Sequence, residues 1–180
     1  METRLAEAFW MKKAHEETTE NSKRRRQHGK GICSVFILDT SESMAGEGGR
    51  EMKMAMSAIL NEYESLHLDD NIAVIGCGKE VKFLHYYSNN YYSIKKCLDN
   101  IKYEGPSPLE AGIILSFSCI KFGGGHSAIM GDLHIRARVV VISDGNPTDL
   151  DMSSPTDASE TTKDSEACAF CTLNHQWKSK

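Results

Sequence analysis

Apolar residues in this chain fall into short uninterrupted runs separated by helix-spaced stripes. "ICSVFIL" (residues 32–38) is a β-rich run bounded by glycine and aspartate, and it predicts a buried strand. Past a polar loop, Met52, Ala55, Met56, Ile59, Leu60, Tyr63 and Leu66 recur at helical spacing. They predict a helix of about 16 residues whose methionines fill the core. "NIAVIGC" (71–77) predicts a second buried strand. "EVKFLHYY" (80–87) follows after only Gly78 and Lys79, which predicts an antiparallel hairpin. Ser93 is placed to cap a short helix carrying Ile94, Cys97, Leu98 and Ile101. Ser107 as N-cap and Pro108 as first helical residue open a further helix to near Phe122. "GGGHSAIMGDLHIRA" reads as a flexible loop, and "RVVVISDG" (138–145) as another buried strand ending in aspartate. The order β-α-β-β-α-α-β predicts an α/β layer fold: an open, mostly parallel sheet with one antiparallel edge strand and flanking helices.

Three segments follow from this pattern. Residues 1–30 form a charged helix and linker, with residues 3–17 amphipathic and Leu5, Ala8, Phe9 and Met11 on one side. Residues 31–147 hold the folded domain. Residues 148–180 are polar, rich in Ser, Thr and Asp, and read as a disordered tail.

Composition narrows the function classes. Hydrophobic content of 40% and charged content of 26% are ordinary for a globular protein. A net charge of −4 argues against nucleic acid as a partner. No stretch approaches the roughly 18 apolar residues that cross a bilayer, and the charged N-terminus lacks an apolar signal core. The expected compartment is therefore cytoplasmic; Lys23-Arg24-Arg25-Arg26 also admits a nuclear address, although a solvated linker is the simpler reading. The six cysteines do not read as a secreted disulfide framework, since four of them fall inside predicted strands or helices.

The chemistry concentrates where strands end. Asp39 terminates the first strand and Asp144 the last, and binding crevices of open α/β sheets lie at such carboxyl ends. Ser107 stands at the mouth of a helix starting from the same edge. Asp39, Ser41, Ser43, Ser107 and Asp144 together offer two carboxylates and three hydroxyls, all hard oxygen donors. That set suits Mg²⁺, with Mn²⁺ as a second fit. With so few carboxylates, the ion would keep positive charge and an open position for an acidic group.

Asp39-x-Ser41-x-Ser43 before an amphipathic helix resembles the metal-ion-dependent adhesion site of von Willebrand factor type A domains. "GPSPLEAG" (105–112) is similar to that family's "GGTPL" segment, with Ser107 in the threonine's place, and "VVVISDG" resembles its strand ending in Asp-Gly. The likeness covers roughly Ile32 to Pro147. It implies a Rossmann-like fold and a non-enzymatic protein-interaction module, in which Ser41 and Ser43 bind the ion directly. Ser107 would act as the threonine equivalent, Asp39 and Asp144 as the acidic pair, and a partner's carboxylate would complete the shell. Glu42 stands where the family commonly has glycine. The likeness also implies one more helix and two more parallel strands followed by a closing helix, where this chain has its polar tail. A partial domain is therefore expected, with strand 138–143 as an open edge. It would be a splice product, an incomplete gene model, or a fragment that needs a partner or the missing half to fold.

Rival chemistries fare worse. An aspartate-based phosphatase needs a second carboxylate where Ser41 stands. "GCGKEV" joins two strands instead of opening a helix, and "GGGHSAIMG" lacks the Lys-Ser/Thr of a phosphate loop. Cys168-x-x-Cys171-x-x-x-His175 is half a zinc site without a second half. Two alternatives remain beside the interaction module. One is a metal-dependent hydrolase on the same site, with Glu42, His126 or His134 as base; the other is a truncated product that binds no metal.

Overall fold

The uninterrupted apolar runs become the middle of a sheet. The structure is a computed structural model that describes residues 2–24, 28–122, 128–130, 133–145 and 147–148, all within the unit spanning Met1–Leu150. In chain order the elements are α1 (Glu2–Ser22), β1 (Cys33–Asp39), a single 3-10 turn (Glu42–Met44), α2 (Glu47–Ser65), β2 (Asn71–Cys77), β3 (Val81–Ser88), α3 (Tyr91–Asp99), α4 (Leu109–Phe122), β4 (Ala128–Met130), β5 (Leu133–Ile135) and β6 (Arg138–Ile142). The main sheet has the order β3-β2-β1-β6. β1 runs parallel to both β2 and β6, and β3 returns antiparallel on β2. The expected mostly parallel sheet with one antiparallel edge strand is what forms.

Every residue of β1 and β2 is buried, because helices cover both faces. On one side Val35, Ile37, Ala73 and Ile75 pack with Leu109, Ala111 and Leu115 of α4. On the other, Phe36, Leu38, Ile72 and Val74 meet Met52, Met56 and Leu60 of α2 and Ile94 and Leu98 of α3. Met52 and Met56 are core filling as the spacing predicts, whereas Ala55 and Leu66 of the same pattern are exposed, as is Met54 outside it. Gly112 lets α4 sit close: a Cβ there would collide with Cys77 Sγ and lie 3.0 Å from Ile37 Cγ2. Gly112→Val should therefore cost at least ~2 kcal/mol in urea unfolding by overpacking. Adding Cys77→Ala should return part of that loss; strict additivity of the two changes would show the collision is not the cause.

Several local expectations need correction. α1 reaches Ser22 and docks through Trp10, Ala14, Thr18 and Asn21, not through the predicted face; Phe9 and Met11 are 51% and 53% exposed. The docking stripe contains small and polar residues, which hydrophobic periodicity overlooks. α3 is capped by Asn90, whose side chain accepts from Ser93 N, so Ser93 lies inside the first turn. The predicted loop between α4 and β6 contains the β4–β5 hairpin. β6 is half exposed instead of buried, because it is the sheet's edge among the described residues. Arg138 fastens its start to Asp70 at 2.8 Å. Arg24 makes an exposed pair with Glu20, while Arg25, Arg26 and the polar tail past Thr148, with its Cys168, Cys171 and His175, lie outside the described residues.

Candidate functional site

Parallel pairing of β1 with β2 and β6 brings three chain segments to one sheet edge. Asp39 is the last residue of β1 and is wholly buried. Its Oδ1 accepts from Ser41 N at 3.0 Å, the tight turn that bends the chain out of the strand. Its Oδ2 accepts from two hydroxyls, Ser107 Oγ at 2.6 Å and Ser143 Oγ at 2.7 Å. Ser41 Oγ lies 3.0 Å from Ser43 Oγ. The 3-10 turn that carries Ser43 is anchored by buried Met44.

Ser107 is fixed from several sides. Its N–H donates to Thr148 Oγ1 at 2.7 Å, and its carbonyl accepts from Thr148 N at 2.9 Å. Its hydroxyl does not cap α4 but points at Asp39, which corrects the sequence expectation; Pro108 O accepts the first α-helical bond, from Gly112 N. Thr148, one residue past the predicted domain limit, is thus bonded to the site.

Four of the five expected residues stand in one hydrogen-bonded neighbourhood: Asp39, Ser41 and Ser107 are buried in it, and exposed Ser43 reaches it through Ser41. Asp144 follows Ser143 at the end of β6 with an exposed side chain. Sequence reasoning missed Ser143. Its signal was the hydroxyl directly before the aspartate of "VISDG", whose partner Asp39 lies 104 residues away in sequence.

Among the described residues no lysine, arginine or histidine pairs with Asp39; three hydrogen-bond donors alone compensate its buried charge. Such a carboxylate is costly to bury without a positive neighbour. A carboxylate has about four lone-pair positions, so one on Oδ1 remains open. Cys77, opposite Asp39 in the β1–β2 register, adds no soft ligand: burial, with the charge of Asp39 behind it, pushes its thiol up to about 12. The donor set is therefore all oxygen, and it fits Mg²⁺ or Mn²⁺ in kind. Among the described residues no three His, Cys, Asp or Glu side chains converge, so any such site would rest on hydroxyls as much as on carboxylates.

An open, mostly parallel sheet with polar groups gathered at its carboxyl edge defines an α/β domain of the doubly wound class. The sequence profile of the von Willebrand factor type A domain matches residues 34–146, well over half of the chain. The chain belongs to that family. No curated protein matches it. Among solved structures it is similar to the vWF domain of the type V pili tip protein Mfa5 from Porphyromonas gingivalis, with a TM-score of 0.52 at 11% identity, covering 65% of this chain and 38% of that one. It is also similar to the pilus adhesin SpaC from Lactobacillus rhamnosus GG, with a TM-score of 0.52 at 16% identity, covering 69% of this chain and 17% of that one. At these identities the likeness concerns the fold. The chain spans well under half the length of either. Among the described residues, no helix is long and apolar enough to cross a membrane.

Proposed function

We propose that this domain is a non-enzymatic protein-interaction module that grips an acidic group of its partner through a divalent cation. Mg²⁺, or Mn²⁺ in its place, would be held by the hydroxyls of Ser41, Ser43 and Ser107 with Asp39 and Asp144 as the acidic pair. The observation that carries this reading is the buried Asp39 carboxylate, which accepts from two hydroxyls and one backbone N–H and has no basic partner among the described residues. The role of the chain is to fix those oxygens in place. β1 and α4 set Asp39 against Ser107, the Met44-anchored turn sets Ser43 against Ser41, and β6 supplies Ser143 to hold the Asp39 carboxylate in orientation. A cation bound there would act as a Lewis-acidic bridge to a ligand carboxylate.

The pilus neighbours lend support, since the vWF domain of a pili tip protein and a pilus adhesin are similar to this fold. The hydrolase alternative needs a general base. Glu42 is exposed, and the side chains of His126 and His134 lie outside the described residues. No observation favours that alternative. Titration calorimetry with MgCl₂ and MnCl₂ should give saturable heat for the intact chain and none for Ser41→Ala. Identical heats for the two proteins would refute the site.

A further inference from the structure

Beside the Asp39 loop lies a cleft of about 360 Å³ whose wall carries Thr40, Lys79, Lys82, Lys102, Glu80 and Glu104. We infer that this cleft takes a second carboxylate of the same acidic peptide whose first carboxylate meets the cation. The inference rests on the interaction reading above and specifies the ligand: a peptide with two acidic groups close together, not an isolated one.

Backbone hydrogen bonds tie the cleft rigidly to the cation loop. Thr40, between Asp39 and Ser41, donates its N–H to Cys77 O at 2.6 Å, just before the turn that bears Lys79. Lys79 N donates to Glu104 O at 2.6 Å, and Glu104 N donates to Thr40 O at 3.0 Å. Glu42 N donates to Gly105 O at 3.0 Å. The three loops can approach this closely because Gly78 and Gly105 lack side chains: a Cβ on Gly78 would lie 2.6 Å from Thr40 O, and one on Gly105 2.8 Å from Lys79 Cα. Gly105 also has φ +78, which glycine adopts without strain. Lys79 and Lys102 are thus mounted on the same framework as Ser41 and Ser107. A ligand that spans both places gains the second contact with little added ordering cost.

The charge is complementary to an anion. Lys82 is engaged by Glu80, whereas Lys79 and Lys102 make no ion pair among the described residues. Glu80 is held below the usual carboxylate range by the hydrogen bond from Lys82 and that ammonium's charge, with Lys13 and Lys79 adding to it. Three lysines (Lys79, Lys82, Lys102) line the cleft against two glutamates (Glu80, Glu104), so positive charge exceeds negative by one there on a chain of net charge −4.

The test uses the full chain in Mg²⁺ and two blocked probes followed by NMR titration. One probe is N-acetyl-aspartate amide. The other is a series of Asp-(Gly)-Asp peptides with spacers of increasing length, about 3.3 Å per residue. The best two-carboxylate peptide should bind about tenfold tighter than the monoacid, equivalent to one added charge contact. That gain should vanish in Lys79→Gln/Lys102→Gln while monoacid affinity is unchanged. Equal affinity of the two probes, or a gain that survives the lysine changes, would overturn the cleft. Loss of both probes in EDTA supports the cation reading. A lysine-dependent diacid that binds equally well in EDTA would retain the cleft and overturn the cation.

Discussion

In saturating Mg²⁺ the intact chain should melt about 10 °C higher than in EDTA, whereas Asp39→Asn should melt at one temperature in both. The size follows from mass action: a ligand present at a hundred times its dissociation constant adds ~2.7 kcal/mol to the folded state. Asparagine preserves the shape of Asp39 and leaves an oxygen for Ser107 and Ser143, so folding should survive the change. The charge is lost, and so is the acceptor for Ser41 N–H, which would face the amide nitrogen. In EDTA the variant should stay close to the parent, because relief of the carboxylate's desolvation cost offsets the lost hydrogen bond. Equal Mg²⁺ shifts in both proteins would place the cation elsewhere. No shift in either would mean that the hydroxyl cluster is a purely structural network.

Deleting residues 1–24 should lower stability by ~3 kcal/mol or more, because α1 is part of the domain and not an appendage. Trp10 and Ala14 face Val81, Ala111 and Leu115, so the deletion would open one side of the core to water. It would also remove Thr18, whose hydroxyl donates to Ser118 Oγ at 3.1 Å, and Glu17, whose carboxylate accepts from Phe83 N at 3.3 Å. Two point changes separate area from polarity. Trp10→Ala should reproduce a large part of the loss. Trp10→Phe should be close to neutral, since the buried Trp10 Nε1 has no hydrogen-bond partner among the described residues and its removal offsets the lost area. Urea unfolding of the three variants checks the order; a harmless deletion would return α1 to the status of a dispensable extension.

The sheet was legible because β1 and β2 are buried on both faces, and such strands announce themselves as unbroken apolar runs. The hairpin to β3 was legible from the short gap after Cys77, although the turn takes in Glu80 as well as Gly78 and Lys79. The site was legible as spacing, Asp39-x-Ser41-x-Ser43, but not as geometry. Whether Ser107 caps α4 or donates to Asp39 depends on how β1 and α4 approach, 68 residues apart in sequence. Ser143 was hidden for the same reason: its partner is supplied by sheet pairing, and nothing near it in sequence reveals that. The face of α1 was misread because Ala14, Thr18 and Asn21 bury little apolar area of their own. Their burial is decided by the α4 surface they meet.

The open side of β6 divides the oxygen cluster into unequal halves. Asp39 hangs from β1, which has a parallel neighbour on each side, while Ser143 and Asp144 hang from a strand held to the sheet along one side only among the described residues. Fraying would begin at β6, and it would withdraw Ser143 and Asp144 while leaving Asp39, Ser41 and Ser107 in place. A cation gripped by both halves would act as a clasp on the weakest strand, so the same ion that recruits an acidic partner would also decide how firmly the sheet ends.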